Sequence, residues 1–283
     1  MTPPPQTWHY GLVARWWAEF NTEGPEVEYF RTFIERSGTP ALDAGCGTGR
    51  LLLPYLRAGL DVDGCDVSQD MLTLCQEKAE QESLQPRLYR QALHDLDLPR
   101  RYRTIVVCGA FGLGGSRAQD QEALRRFSRH LMPGGTLVLD HYMAYKDEEE
   151  WRLWLKEERV KPREPWPEGR SRRRRAANGD EIELRGRVAS VDPLDQVLTR
   201  QIRAILWRNG GIEREEEYTL IERQYFRNET LDMLAAAGFT EVRVFGDYTD
   251  QPATPDSGIL IYAARKEPPP AASREVETHE NPT

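Results

Sequence analysis

The 283-residue sequence lacks any apolar run near the roughly 18–20 residues that cross a bilayer, so no membrane-spanning helix is expected. Its amino terminus lacks the charged and apolar regions of a secretory signal. The four cysteines form no CxxC pair, which disfavours a disulfide framework or a zinc site. Lys and Arg total 38 against 46 Asp and Glu, and the net charge of -8 disfavours general nucleic-acid binding. We therefore expect a soluble cytoplasmic protein with reduced thiols and no metal site.

Strand and helix patterns alternate from residue 37 to residue 142. The five predicted strands lie at residues 41–44, 61–66, 87–92, 102–109 and 136–142. Such alternation predicts a parallel sheet with helices on both faces. After an interruption the pattern resumes, with a helix at 229–237 and strands at 241–246 and 258–264.

The interruption has a different character. A charged helix is predicted at 146–158, and three stretches of alternating polar and apolar residues between 181 and 222 predict an antiparallel meander. Helical spacing from 8 to 34 precedes the first strand. The predicted segments are a helical cap at 1–36, an α/β domain at 37–142 and 225–266, an inserted β lid at 143–224 and a disordered tail at 267–283.

Residues 41–50 combine a strand, three glycines at alternate positions and the start of a helix. Glycines let the backbone approach a ligand, and a helix amino terminus favours an anionic group. Asp66 ends the next strand, where a carboxylate can reach the hydroxyl pair of a ribose. Asp43 precedes the turn, where it would repel a pyrophosphate but accept hydrogen bonds from an ammonium group. A ligand with a ribose, an amine and a carboxylate fits this pattern, and S-adenosylmethionine has all three.

Several motifs resemble those of the class I S-adenosylmethionine-dependent methyltransferases. They are LDAGCGTGR (42–50), GCDVSQDML (64–72), DLDLP (95–99), LMPGGTLVLD (131–140) and AAGF (236–239). The resemblance implies a doubly wound, seven-stranded Rossmann-like methyltransferase sheet in the order 3-2-1-4-5-7-6, with S-adenosyl-L-methionine as cofactor. The family often carries an acidic residue after the third strand for the adenine amine. Ala92 stands there in this chain, so backbone groups near Leu93 are expected to supply that contact.

The resemblance also implies roles for individual residues. Asp43 and the neighbouring glycines would hold the amino-acid part of the cofactor, and Asp66 would hold its ribose. Met71 would pack on the adenine, and Cys108 would border the methyl group. The candidate cofactor-binding residues are Asp43, Gly45, Cys46, Gly47, Asp66, Val67, Met71, Leu93 and Cys108.

The insertion after the fifth strand is similar to that of small-molecule methyltransferases. This similarity implies methyl transfer to a nitrogen or oxygen atom of a small-molecule acceptor, with an amine slightly favoured. His141 follows the fifth strand and is a candidate general base. Tyr10, Trp16 and Trp17 lie on the amino-terminal helix and could cover the ligand, with Tyr10 the preferred candidate catalytic residue.

Two other functions stay open. The run Arg172–Arg175 could serve an RNA or protein methyltransferase, although we favour a solvated loop because no aromatic residues interleave with it. A non-catalytic cofactor-binding regulatory domain would bind the cofactor without releasing S-adenosylhomocysteine. Aromatic residues of the insertion, Trp151, Trp154 and Trp166, are interpreted as packing residues. The oligomeric state is not predicted.

Overall fold

A seven-stranded sheet carries most of the elements around the candidate site. The structure is a computed structural model that describes residues 6–159, 166 and 172–267. The strands are β1 (Ala41–Ala44), β2 (Val62–Asp66), β3 (Arg87–Arg90), β4 (Tyr102–Val107), β5 (Leu131–Tyr142), β6 (Arg172–Arg175), β7 (Glu181–Asp192), β8 (Val197–Arg208), β9 (Gly211–Arg223), β10 (Phe239–Gly246) and β11 (Ile259–Lys266). The large sheet has the order β3-β2-β1-β4-β5-β11-β10. Since β10 and β11 are its sixth and seventh strands along the chain, the predicted order is confirmed.

Strands β1 to β5 pair in parallel, while β11 lies antiparallel to both β5 and β10. Within this register Ala44 lies opposite Cys65, and Asp43 lies opposite Val106. The carboxyl ends of β1, β2 and β4 therefore meet at one edge of the sheet, where ligands bind in open α/β folds.

Helices cover both faces of this sheet. They are α1 (Gly11–Phe20), α2 (Pro25–Ser37), α3 (Leu52–Arg57), α4 (Gln69–Gln81), α5 (Arg117–His130), α6 (Glu148–Arg152), α7 (Lys156–Arg159) and α8 (Arg227–Ala236). Helices α5 and α8 pack on one face, and α2, α3 and α4 pack on the other. Every residue of β1 is buried, which accounts for its apolar sequence. Ser68 caps α4, since its hydroxyl accepts the backbone N–H of Met71 at 3.3 Å.

The insertion forms a separate four-stranded antiparallel sheet in the order β6-β7-β8-β9. Asn209 and Gly210 join β8 to β9 with positive φ angles of 51° and 79°, as a two-residue hairpin turn requires. Helix α1 packs on this second sheet, where Leu12 and Trp16 share a buried cluster with Ile182 of β7. The helical cap and the insertion thus share one apolar core. The predicted bounds of the four segments remain a proposal.

Two predictions for the insertion are wrong. Arg172–Arg175 is an edge strand of the second sheet and not a solvated loop. A charged run can form such a strand because its side chains point to solvent and discourage pairing with another chain. The single helix predicted at 146–158 is instead two short helices, α6 and α7, separated by residues 153–155; Asp147 caps the start of α6 by accepting the backbone N–H groups of Glu149 and Glu150.

The fifth strand begins earlier than the predicted residue 136, so residues 132–135 lie inside β5. Gly134 has a φ of +72°, and the pairing of β5 with β4 shifts register there, as in a β-bulge. The predicted disordered tail, apart from Glu267, lies outside the described residues. Within the described part of the chain, no helix is long and apolar enough to cross a membrane.

We expect Ile182→Ala to lower the free energy of unfolding by about 2–5 kcal/mol, because the substitution leaves a cavity between α1 and the second sheet. Ile182 is fully buried. Urea unfolding measures the change. Leu194→Ala is the control, because Leu194 is 90% exposed at the turn after β7. Its effect should stay within about 0.5 kcal/mol, and an equal loss in both variants would contradict the packing described here.

Candidate active site

A cavity of about 180 Å³ lies at the carboxyl ends of β1, β2 and β4. All nine residues predicted to bind the cofactor line it: Asp43, Gly45, Cys46, Gly47, Asp66, Val67, Met71, Leu93 and Cys108. They come from four separate stretches of the chain, which the parallel sheet brings together. The fold therefore places the sequence motifs around one space.

The glycine-rich turn after β1 forms the floor of this cavity. Gly45 has a φ of +86°, and a Cβ atom there would lie 2.5 Å from the Cβ atom of Ala110. Gly47 has a φ of +53°, and its missing Cβ would meet nothing within 4 Å. Position 45 thus needs glycine for close packing, whereas the lack of a side chain at position 47 leaves space beside the backbone.

Asp66 fixes the turn in place. Its Oδ2 atom accepts the backbone N–H of Gly47 at 2.9 Å, and its Oδ1 atom accepts that of Ser68 at 2.8 Å. Burial raises the pKa of Asp66, while these backbone N–H groups act in the opposite direction. The carboxylate thereby links the turn after β1 to the start of α4.

Asp43 is the second buried carboxylate of the cavity. Among the described residues, its Oδ2 atom is buried without a hydrogen-bond partner. Burial, with a smaller contribution from the nearby charge of Asp66, raises the pKa of Asp43 to about 7. An unpaired buried carboxylate oxygen is costly, and a cationic donor in the cavity would offset that cost.

Known proteins with similar sequences are methyltransferases or carry that name. The sequence model of the methyltransferase domain family matches residues 41–135. A protein of Geobacillus sp. (strain WCH70), provisionally named a methyltransferase, is 22% identical over 268 residues, which cover 91% of this chain and 99% of that protein. Residues 41–135 therefore form a methyltransferase domain, and the chain is similar to S-adenosylmethionine-dependent methyltransferases over most of its length.

Two further relatives of this methyltransferase have more specific names. The dTDP-3-amino-3,4,6-trideoxy-alpha-D-glucopyranose N,N-dimethyltransferase of Streptomyces venezuelae is 29% identical over 112 residues, which cover 38% of this chain and 46% of that enzyme. The crystallographic sugar N-methyltransferase KedS8 of Streptoalloteichus sp. ATCC 53650 has a TM-score of 0.64 and 19% identity, over 94% of this chain and 99% of that chain. The structural likeness shows a shared fold.

The two candidate catalytic residues do not line the cavity of this methyltransferase. His141 is buried, and its Nε2 atom accepts the backbone N–H of Tyr225 at 2.9 Å. Burial lowers the pKa of His141 to about 4. Its acceptor nitrogen already has a partner, so this geometry gives no support to a general base at His141. Tyr10 packs near Tyr218, with the ring centroids 6.3 Å apart.

The amino-terminal segment supplies one of its three predicted aromatic candidates, Trp17, and one residue that the sequence patterns do not single out, His9. Trp17 lines the cavity, whereas Trp16 is buried in the second core. His9 also lines the cavity, and its ring lies edge-on to that of Trp17 with the centroids 6.0 Å apart. Burial lowers the pKa of His9 to about 4, so its imidazole is neutral at pH 7. His9 is a single histidine before a helix, and no sequence pattern around it predicts that it lines the cavity.

Asp140, at the end of β5, holds the loop that borders the cavity after β4. Its Oδ1 atom accepts the backbone N–H of Gly109 at 2.6 Å, and its Oδ2 atom accepts the hydroxyl of Tyr248 at 2.6 Å. Cys108 lies 3.5 Å from the same carboxylate. Asp140 is thus a positioning residue, and the final acid of the motif LMPGGTLVLD was its only sequence signal.

A second cavity of about 640 Å³ lies beneath the insertion, between α1, α6 and the sheet of β6 to β9. Its lining includes Trp8 and Trp17 together with Glu149, Arg187 and Arg200. Trp17 lines both cavities, so the two cavities are neighbours at this residue.

We expect Asp43→Asn to flatten the pH dependence of unfolding of the ligand-free protein. A carboxyl with a pKa near 7 in the folded state and 3.8 when unfolded contributes stability at low pH that is lost as the pH rises through 7. The wild type should therefore lose up to about 1.4 kcal/mol per pH unit relative to the variant between pH 5 and 7. Urea unfolding at pH 5, 6, 7 and 8 measures the slopes.

Asp97→Asn is the control for this comparison, because Asp97 is exposed and lies outside the cavity. Its slope should match that of the wild type. Parallel slopes for the wild type and Asp43→Asn would show that Asp43 does not titrate in this range.

Proposed function

We propose that this protein transfers the methyl group of S-adenosyl-L-methionine to a nitrogen or oxygen atom of a small-molecule acceptor. The observation that carries the proposal is the unpaired, buried carboxylate oxygen of Asp43 in the cavity that also contains Asp66 and the glycine turn. An ammonium group at one end of a ligand and a ribose beside Asp66 would satisfy both carboxylates.

The residues present fit this cofactor. Asp43 would accept its amine, and Gly45 and Gly47 would let the backbone approach its amino-acid part. Asp66, held by two backbone N–H groups, would accept the ribose hydroxyls. Met71 would pack on the adenine, with Cys46, Val67, Leu93 and Cys108 completing the walls. When bound, the cofactor supplies a methyl group already activated by its sulfonium.

The main task left to the protein is alignment. A cavity built on buried strand ends holds its walls rigidly, and orientation alone can contribute about 7–11 kcal/mol to a transfer of this type. An amine acceptor needs only to arrive unprotonated. We therefore assign no general base in the proposed reaction, and the buried, hydrogen-bonded position of His141 supports this choice.

The larger cavity is the proposed acceptor site. It meets the cofactor cavity at Trp17, and it is lined by side chains of both charges, including Glu149 and Arg172. Such a lining suits a polar small molecule. The names of the Streptomyces venezuelae and KedS8 enzymes, both N-methyltransferases acting on sugars, support an amine as the acceptor atom.

The structure favours this proposal over an RNA or protein substrate bound at Arg172–Arg175. Arg173 and Arg175 both form ion pairs with Glu181, and the guanidinium of Arg174 lies 4.4 Å from the ring centroid of Phe20. Glu181 thus offsets part of the positive charge that a phosphate backbone would require, and Phe20 occupies the guanidinium face of Arg174. The cytoplasmic location predicted from the sequence stays a prediction.

Calorimetric titration tests the cofactor site. We expect the wild type to bind S-adenosyl-L-methionine and S-adenosylhomocysteine, and Asp43→Asn and Asp66→Ala each to weaken binding by about tenfold or more, because a charge-assisted hydrogen bond contributes about 1.5–3 kcal/mol. Asp97→Asn should bind like the wild type. A folded wild type that gives no heat at millimolar ligand would refute the proposal.

Release of S-adenosylhomocysteine from a panel of small amines and hydroxyl compounds tests the acceptor site. For any acceptor found, we expect Trp17→Ala to raise its KM by about tenfold, since the loss of a buried aromatic wall removes about 1.4 kcal/mol or more of binding. Trp151→Ala is the control, because Trp151 is partly exposed and lines neither cavity. Equal KM values in Trp17→Ala and the wild type would exclude the larger cavity as the acceptor site, and cofactor binding without product from any acceptor would favour a regulatory domain.

A further inference from the structure

The far end of the cofactor cavity has an unusual lining. It is formed by residues 91–94, which follow β3, and by Gln119, Asp120 and Ala123 of α5. On the resemblance described above, the segment after β3 faces the adenine, and Ala92 stands where the family often has an acid. The carboxylate that the family often has after β3 is thus absent from this chain. A different carboxylate, that of Asp120 on α5, lies at the same end of the cavity.

Asp120 is only 7% exposed and lines this end of the cavity. Its Oδ2 atom accepts the hydroxyl of Tyr225 at 2.7 Å. Its Oδ1 atom has no hydrogen-bond partner among the described residues. A Cβ atom on Gly115, which also lines the cavity, would lie 3.7 Å from Oδ1, so the missing side chain there leaves this oxygen uncovered.

The other polar side chains at this end already have local partners. Gln91 accepts the backbone N–H of Asp97 at 2.8 Å and donates to the carbonyl of Asp97 at 3.1 Å. Gln119 accepts the backbone N–H of Ser116 at 2.7 Å, and its amide nitrogen lies 3.0 Å from Nε2 of His94. Asp120 is left as the side chain with an open acceptor.

The chemistry of Asp120 favours a donor ligand. Burial raises its pKa to about 6, while the Tyr225 hydroxyl and the charges of Arg223 and Arg117 act in the opposite direction. At pH 7.5 the group is therefore mainly an ionised carboxylate, which accepts hydrogen bonds but donates none. It would favour an exocyclic amine over an oxo group at the same position, because two acceptors facing each other leave both unpaired.

The position of Asp120 is also well fixed. Ser116 and Gln119 form a capping box at the start of α5, one turn before the carboxylate. The hydroxyl of Tyr225 restrains the side chain from the other side. A rigid acceptor discriminates between ligands better than a mobile one.

We propose that Asp120 accepts a hydrogen bond from the exocyclic amine of the adenine and so takes over, from a different element, the task of the acid absent at Ala92. The assignment rests on the proposed function and makes Asp120 a specificity-determining residue for the cofactor. It adds to the predicted backbone contact near Leu93 and does not exclude it.

Competition between two ligands tests this assignment. S-inosylhomocysteine differs from S-adenosylhomocysteine by an oxo group in place of the exocyclic amine and by a hydrogen on the adjacent ring nitrogen, so titration calorimetry at pH 7.5 with both compounds probes recognition of this edge of the base. We expect the wild type to bind the adenosyl compound at least about tenfold more tightly. Asp120→Asn should lower this preference by about tenfold or reverse it, because the amide can donate to the oxo group.

Two variants serve as controls for this test. Asp97→Asn should keep the wild-type preference. Asp120→Glu keeps a carboxylate in a longer side chain and should retain part of the preference even if it weakens both ligands. Circular dichroism checks that each variant is folded.

The outcomes separate the two proposals. A wild type that binds neither compound overturns the proposed function and this assignment with it. A wild type that binds both compounds equally, or an Asp120→Asn variant with the wild-type preference, overturns the assignment alone. The wild-type ratio is decisive by itself if Asp120→Asn does not fold.

Discussion

The hydrogen bond from the Gly47 backbone N–H to Asp66 is the contact on which the site depends. It ties the turn after β1 to the end of β2, and the second oxygen of Asp66 ties that strand end to the start of α4 through Ser68. A single buried carboxylate thus sets the spacing of three elements. Without it the glycine turn, whose backbone is free to adopt many conformations, would have no fixed relation to the rest of the cavity wall.

The need to hold carboxylates inside the cavity also makes the ligand-free protein less stable. Asp43, Asp66 and Asp120 are carboxylates whose pKa values burial raises, and all three line one cavity. A fold selected for stability alone would replace such groups with apolar residues. Their presence in the lining of one cavity is typical of a site whose partner charges and donors arrive with a ligand.

The sequence predicts the large sheet and the residues that line the smaller cavity well because both depend on local signals. Each strand of the parallel sheet is a short apolar run, and the residues of the glycine motif lie on consecutive positions. The structure does not support the predictions for Tyr10, His141 and Arg172–Arg175. Whether a tyrosine faces the cavity, whether a histidine nitrogen is already bonded, or whether an arginine run pairs with a neighbouring strand depends on contacts distant in sequence, such as that of His141 with Tyr225. No local pattern encodes those contacts, and the same holds for Asp120, which ordinary helical spacing conceals.

The amino-terminal segment couples the two sheets. The backbone N–H of Gln6 donates to the carbonyl of Gly114, and the carbonyl of Gln6 accepts the backbone N–H of Ile221 in β9. The backbone N–H of Gly11 donates to Asp70 at the start of α4. Helix α1 then packs on the second sheet and carries Trp17 to the boundary of both cavities. A shift of the insertion relative to the large sheet must therefore move Trp17, because its helix is held by both. The boundary between the two cavities is thus set by the relation between the sheets, and differences in the insertion can alter the larger cavity without disturbing Asp43 and Asp66, which line the smaller one.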